Sequence, residues 1–160
     1  MKALQHLNDL ALEHDRRKYP NTPDMYRALP KYSDSTANAL TKAVIDWIRY
    51  NDGQAERIAV SGRQIDTRKT YTNILGRTEQ VGSVKWIKGS MQSGTADISA
   101  TLKGRSVKIE IKCKATGDRY QSEGQKAYQK QIESAGGLYL TVRDFEDFYN
   151  WFNYFINSNG

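Results

Sequence analysis

The chain has 160 residues, a formal net charge of +6, 38% hydrophobic and 11% aromatic residues, and one cysteine. Such a composition fits a single globular core and excludes a disulfide framework. No apolar run approaches a membrane span, and Met1 to Leu12 reads as a polar helix start and not a signal peptide, so a cytoplasmic protein is expected.

Lys2 to about Lys18 is a weakly amphipathic helix, and all three prolines, Pro20, Pro23 and Pro30, then punctuate a Tyr-rich extended segment. Residues 1–35 therefore read as an appendage that wraps the core, meets DNA through Arg16-Arg17-Lys18, or forms a dimer contact; residues 36–160 read as the functional domain. His6 and His14 share a polar helix without a third ligand nearby, which argues against zinc. A core helix is predicted from Ser35 to Tyr50, with Ala37, Leu40, Val44, Trp47 and Ile48 at helical spacing and Asn51-Asp52-Gly53 as its stop. A strand near Arg57 to Ser61, a basic loop, and a strand around Val84 to Ile87 follow.

Ser99 to Leu102 and Val107 to Cys113 alternate in hydrophobicity around the turn sequence Lys103-Gly104-Arg105-Ser106, the pattern of a β-hairpin. In the second strand Val107, Ile109, Ile111 and Cys113 share one face; Lys108, Glu110, Lys112 and Lys114 share the other. With Gly104-Arg105 as a two-residue turn, Lys103 pairs with Ser106, Asp97 lies opposite Lys112, and Glu110 lies opposite Ser99. Asp97 and Glu110 are then same-face diagonal neighbours, about 7–8 Å apart at Cα, near enough for two carboxylates to share one ion. Alternating charge is also what a half-buried strand with a solvated face shows. Cys113 falls on the apolar face and reads as core.

Ser122 to about Ala135 is a helix ended by Gly136-Gly137, and Leu138 to Val142 is a strand. Ser122-x-x-Gln125 is a capping box; Gln125 is read as a cap or as an active-site residue, two roles that one rotamer is not expected to combine. The last helix, Phe145 to Ile156, sets Phe145, Phe148, Phe152 and Phe155 on one face as core, with Tyr149, Trp151 and Tyr154 off that stripe. From Gly53 to Arg119 there are 13 Lys or Arg against 6 Asp or Glu, so the basic excess coincides with the hairpin. Clustered cations supply sequence-independent affinity for phosphate backbones, and Arg63, Arg68, Lys69, Arg105, Lys108, Lys114 and Arg119 are the expected nucleic-acid contacts, with Arg57 and Arg77 beside them. No segment reads as a base-reading helix, so recognition through backbone and shape is expected.

Gly94-x-x-Asp97, Glu110-x-Lys112, Ser122-x-x-Gln125 and Gly136-Gly137, in the order strand, strand, helix, strand, resemble the PD-(D/E)XK nuclease superfamily over about Ala37 to Phe148. The branch it is most similar to is the VRR-NUC, or virus-type replication-repair nuclease, domain. The resemblance implies an α/β, restriction-endonuclease-like core with a mixed central β-sheet flanked by helices. It implies a Mg²⁺- or Mn²⁺-dependent deoxyribonuclease, structure-selective for branched or junction DNA, in phage replication, recombination or repair. Asp97 and Glu110 would bind the metal with the Ile111 carbonyl, Lys112 would position the attacking water and offset phosphate charge, and Gln125 would contact the site. One site per chain suggests a homodimer for cutting two strands. Ala96 stands where the family has Pro, and Thr36-Ala37-Asn38-Ala39 lacks the Glu many members carry there, so a second metal would need a carboxylate such as Glu79. The alternatives are a non-catalytic nucleic-acid-binding module of the same fold and an RNA-directed nuclease.

Overall fold

Apolar residues at helical spacing set the three helices that carry the core. The computed structural model describes residues 2–58, 62–87, 92 and 94–158, and the chain divides into two units, Met1–Ile58 with Ser93–Gly160, and Ala59–Gln92.

In the first unit, α1 (Lys2–Lys18) buries the stripe Ala3, Leu7 and Ala11. Helix α2 (Ala37–Tyr50) begins where Thr36 accepts a hydrogen bond from the Ala39 amide, and it buries Leu40, Val44, Trp47 and Ile48. The last helix, α4 (Phe145–Ser158), buries Phe145, Phe148, Phe152 and Phe155. Trp47 meets Phe145 and Phe152 edge-on at 5.9 and 6.0 Å between ring centres, so the aromatic stripe is core, as its spacing predicts. Residues 1–35, expected as an appendage, supply Ala3, Leu7, Ala11 and Tyr32 to this same core. The proline segment is folded back onto α1 by Arg27, which pairs with Asp15 at 2.6 Å and Asp24 at 2.9 Å. Arg16 pairs with Asp24 as well, so part of the basic end of α1 already has an internal partner.

The sheet of this unit has the order β1-β6-β7-β8, with β1 (Gln54–Arg57), β6 (Ile98–Leu102), β7 (Arg105–Ile111) and β8 (Leu138–Val142). Its first three strands are antiparallel and β8 runs parallel to β7, so the sheet is mixed. The parallel pair needs a crossover, which α3 (Glu123–Ser134) provides. The fold is thus mixed α/β, with four α-helices among the described residues. Strand β1 starts earlier than the sequence predicts, and residues 59–61 of the expected strand lie outside the described residues.

The hairpin corrects the expected register. Leu102 pairs with Arg105 and Ile98 with Ile109, so the turn is Lys103-Gly104 and not Gly104-Arg105. Both turn residues have positive φ, 48° and 74°, which is the backbone of a type I′ turn and matches the strand twist. The turn moves by one residue, so the pairing moves by two and every side chain keeps its face. Continued one step past Ile98–Ile109, this register sets Asp97 opposite Glu110 and not opposite Lys112.

The second unit is one long β-ribbon; the strand expected at Val84–Ile87 is present, and the segment before it, expected as a basic loop, supplies the other three strands. Strands β2 (Arg63–Asp66) and β5 (Val84–Ile87) pair from Arg63–Ile87 to Asp66–Val84; β3 (Lys69–Thr72) and β4 (Thr78–Val81) pair from Lys69–Val81 to Thr72–Thr78. Partner numbers step together across the interruption, so the second ladder continues the first. Between them the Thr67 amide donates to the Ser83 carbonyl at 3.1 Å. Gly82 is needed there: its φ is +90°, and a Cβ would lie 2.2 Å from the Thr67 carbonyl oxygen.

Candidate active site

Three backbone features bring Asp97 and Glu110 together. The Ile58 amide donates to the Asp97 carbonyl at 2.8 Å, which ties Asp97 to the β1 side of the sheet. The Ile111 amide donates to Asp97 Oδ2 at 2.9 Å, which ties its side chain to the end of β7. Just upstream, Gly94 has φ +81°, and a Cβ there would lie 2.2 Å from the Gly124 carbonyl carbon at the start of α3. The glycine of Gly94-x-x-Asp97 therefore lets the chain pass against the first turn of α3.

Glu110 lies on the α3 side of the sheet and is only 3% exposed. Burial first, then the charge of Asp97, push its carboxyl from 4.5 up to about 7, against the opposing pull of Lys112. Its two oxygens differ. Oε1 accepts from Gln125 Nε2 and lies 3.5 Å from Lys112 Nζ. Oε2 is buried and, among the described residues, accepts no well-formed hydrogen bond, although the Tyr139 hydroxyl lies against this carboxylate. A carboxylate oxygen left in that state is costly unless something absent from the protein chain engages it.

Gln125 corrects a second expectation. Its Oε1 accepts from the Ser122 amide at 2.8 Å while its Nε2 donates to Glu110, so one rotamer caps α3 and holds the site carboxylate. The side-chain amide has a donor end and an acceptor end pointing in opposite directions, and the capping box uses only the acceptor.

Lys112, 7% exposed, points its ammonium between Glu110 and Asp118, whose oxygens lie 3.2 and 3.3 Å from Nζ. Asp118 was missed by sequence reasoning; it follows the left-handed Gly117 in a non-repetitive stretch, where no periodicity marks it. Tyr139 was also missed, although its position is readable once the register is known, since β8 sets it beside Lys108 on the Glu110 face. Its hydroxyl is buried against Gln121 and Glu110, and burial followed by the charge of Glu110 pushes it up to about 12.

The expected nucleic-acid contacts separate into groups. Lys114 and Arg119 line, with Lys112 and Arg143, a depression of about 460 Å³ that also takes in Asp144 and Asp147. Arg143 is a further cation the sequence did not single out. Lys108 is tied to Ser99 at 2.6 Å. Arg105 sits at the turn end of β7, six residues from Ile111, or about 20 Å at strand rise, and does not join the site. Arg68 and Lys69 belong to the β-ribbon, where Arg68 is chelated by Asp66 at 2.6–3.1 Å. Arg63 is on β2, with its side chain outside the described residues. Glu79, considered for a second metal, is held within the ribbon by the Tyr71 hydroxyl at 2.8 Å and Asn73 Nδ2 at 2.6 Å.

The donor set fits a hard divalent cation. Two carboxylates face each other across adjacent strands, one oxygen is buried without a well-formed hydrogen bond among the described residues, and the Ile111 carbonyl lies in the same backbone segment. Such ions take oxygen ligands and are commonly held by one or two carboxylates. No helix among the described residues is long and apolar enough to cross a membrane. Comparison with protein-family models and with curated proteins gives no match.

Proposed function

We propose that the chain is a metal-dependent endonuclease that hydrolyses phosphodiester bonds in DNA, with a PD-(D/E)XK core of the VRR-NUC type. The observation that carries the reading is the Asp97–Glu110–Lys112 cluster, with Glu110 Oε2 buried and without a well-formed hydrogen bond among the described residues. Supporting it are the order of elements, an antiparallel hairpin followed by a helix and a parallel strand, and the cations around Lys112.

Asp97, Glu110 and the Ile111 carbonyl would hold Mg²⁺ or Mn²⁺, which when bound supplies charge neutralisation at the phosphate and a water of lowered pKa. Gln125 Nε2 engages Glu110 Oε1, so Oε2 is the oxygen that would be left to meet the ion. Lys112 Nζ, set between Glu110 and Asp118, is placed to pair with a phosphate oxygen and to orient water for attack on phosphorus as the ester P–O bond breaks. Lys114, Arg119 and Arg143 would take neighbouring phosphates of the strand. Selectivity for branched DNA, a homodimer, and a phage replication or repair setting extend the same reading.

The second reading, a non-catalytic DNA-binding module, has one observation in its favour. The first turn of α2 holds Thr36 as a cap and brings no carboxylate toward the site. Incubation with supercoiled and four-way-junction DNA under Mg²⁺, Mn²⁺ or EDTA separates the two. Cutting that requires metal and is lost in Asp97→Ala and Lys112→Ala supports the nuclease. Tight binding without cutting under either metal leaves the module, and cutting confined to labelled RNA replaces the substrate.

A further inference from the structure

The β-ribbon of residues 62–87 has a feature that neither its folding nor the site explains. Its tip is the segment Asn73-Ile74-Leu75-Gly76-Arg77, in which Ile74 is 103% and Leu75 75% exposed. Nothing about this tip is loose. Asn73 Oδ1 accepts from the Leu75 and Arg77 amides at 2.9 and 3.0 Å, the Asn73 amide donates to the Arg77 carbonyl at 2.8 Å, and the Gly76 amide donates to the Asn73 carbonyl at 2.9 Å. The Asn73 side-chain Nδ2 in turn donates to Glu79, which also accepts from the Tyr71 hydroxyl. A polar scaffold thus holds two aliphatic side chains into solvent. A contiguous, preorganised apolar point of this kind marks a contact surface and not a core.

The charge along the ribbon identifies the partner. Within each ladder alternate positions share a face, and the odd-numbered ones include Lys69 and Lys85, with Arg77 at the tip. Four residue steps separate Lys85 from Val81, the partner of Lys69, and four more separate Val81 from Arg77. At about 3.3 Å per residue the three cations are spaced by about 13 Å, close to four base pairs of a duplex at ~3.4 Å each. The even-numbered positions carry Asp66 and Arg68, which neutralise each other at 2.6 Å. That face therefore carries Lys69 and Lys85 and ends in an aliphatic point beside Arg77, with Glu79 on the same face held by Tyr71 and Asn73. A membrane-inserting tip would instead gather its cations in a collar beside the apolar residues, and a second copy of this +6 chain would meet like charge.

We propose that this ribbon is a duplex-DNA-binding arm that lies along a groove through Lys69, Lys85 and Arg77 and wedges Ile74 and Leu75 between base pairs. Two-stranded ribbons fit grooves, and aliphatic wedges unstack a base step and kink the duplex. The proposal takes its partner class from the reading of the chain as DNA-acting, but it needs no cutting. An inactive chain that binds and unstacks DNA would sustain it.

The test uses the full chain in EDTA, so that DNA stays intact, with a 30-base-pair duplex carrying 2-aminopurine and a donor–acceptor pair at its ends. The wild type should brighten the 2-aminopurine and shorten the end-to-end distance. Ile74→Ser with Leu75→Ser should bind about 10-fold more weakly without either signal. Because both side chains stand in solvent, this variant should fold as the wild type does. Lys69→Ala with Lys85→Ala should lower the slope of log affinity against log salt by about 2. Wild-type binding with no fluorescence change, or tip variants that bind and unstack like the wild type, would overturn the wedge. So would tip-dependent sedimentation with anionic vesicles, or tip-dependent dimerisation in analytical ultracentrifugation, when DNA binding is unaffected. Equal unstacking of duplex RNA would move the proposal to that partner and overturn it for DNA. Loss of cutting in the Mg²⁺ assay, with unstacking retained, would sink the nuclease reading alone.

Discussion

Replacing Glu110 by glutamine keeps the shape of the side chain and removes its charge, and the structure predicts that the metal-free protein gains stability. Glu110 is buried, faces Asp97, and has one oxygen without a well-formed hydrogen bond among the described residues. Its carboxyl rises from 4.5 to about 7 on folding, so the folded chain holds that proton more tightly than the unfolded chain. The sign follows from linkage: the stabilisation is fully present below about 4.5 and is lost as pH rises through about 7. At about 1.4 kcal/mol for each pH unit between the two values, ionising Glu110 costs on the order of 3 kcal/mol at pH 8.5. Glutamine escapes that cost, because its carbonyl oxygen still accepts from Gln125 Nε2 and Lys112 keeps Asp118.

The assay is thermal and urea unfolding of wild type and Glu110→Gln in EDTA from pH 4.5 to 9. The two should agree at the acid end and separate through neutrality, with the variant more stable by up to about 3 kcal/mol at pH 8.5. For a chain of this length that corresponds to roughly 6–12 °C in Tm. Adding Mg²⁺ or Mn²⁺ should then raise the wild type and leave the variant where it was, by about 2.7 kcal/mol when the ion is at a hundred times its dissociation constant. A difference between the two proteins that stays constant with pH would refute the burial argument. A variant less stable than wild type at pH 8.5 without metal would refute it too.

Four further variants have expected outcomes. Gln125→Ala should cost about 1 kcal/mol through the lost cap of α3, measured by urea unfolding, and should lower the cutting rate, since Glu110 loses its donor. Gln125→Glu keeps an acceptor for the Ser122 amide but sets a carboxylate against Glu110, so in EDTA its stability should fall more steeply with pH than that of the wild type. Gly94→Ala forces a side chain into left-handed backbone and against Gly124; at least 1–2 kcal/mol should be lost by calorimetry, with metal binding weakened in parallel titrations. Leu7→Ala should cost about 3 kcal/mol in unfolding experiments, whereas an N-terminal appendage would tolerate it with little change.

Periodicity is what made the framework readable. The aromatic stripe of α4, the spacing in α2 and the alternation in β7 each state which face is buried, and burial decides where an element packs. The faces of Asp97, Glu110 and Lys112 were therefore legible even though the turn was placed one residue late, because a shift of two positions preserves parity. The amphipathic pattern of α1 was legible but the burial of Leu7 and Ala11 was not, since a helix followed by prolines gives no sign of where it docks; that depends on α2 and α4 offering a surface. The ribbon was misread for a different reason. Its side chains are exposed on both faces, so the two-residue period that marks a half-buried strand is missing from Lys69–Thr72 and Thr78–Val81.

The residues that no local pattern could reveal are those whose role exists only through a contact made on folding. Asp118 matters because the Lys112 ammonium reaches it, and Gln125 matters beyond its cap because α3 crosses over Glu110. Both act on one balance. A buried carboxylate opposite another carboxylate opposes folding, and a chain selected for stability alone would place Gln or Leu at 110. Lys112 offsets only part of that cost, since Glu110 remains pushed up to about 7 in its presence, and Asp118 shares the same ammonium. The remaining imbalance is negative and localised on Asp97 and on Glu110, whose Oε2 lacks a well-formed hydrogen bond among the described residues. A divalent cation removes it in a way that no side chain of the cluster does, which is why the instability of the metal-free site and its proposed chemistry are the same physical fact.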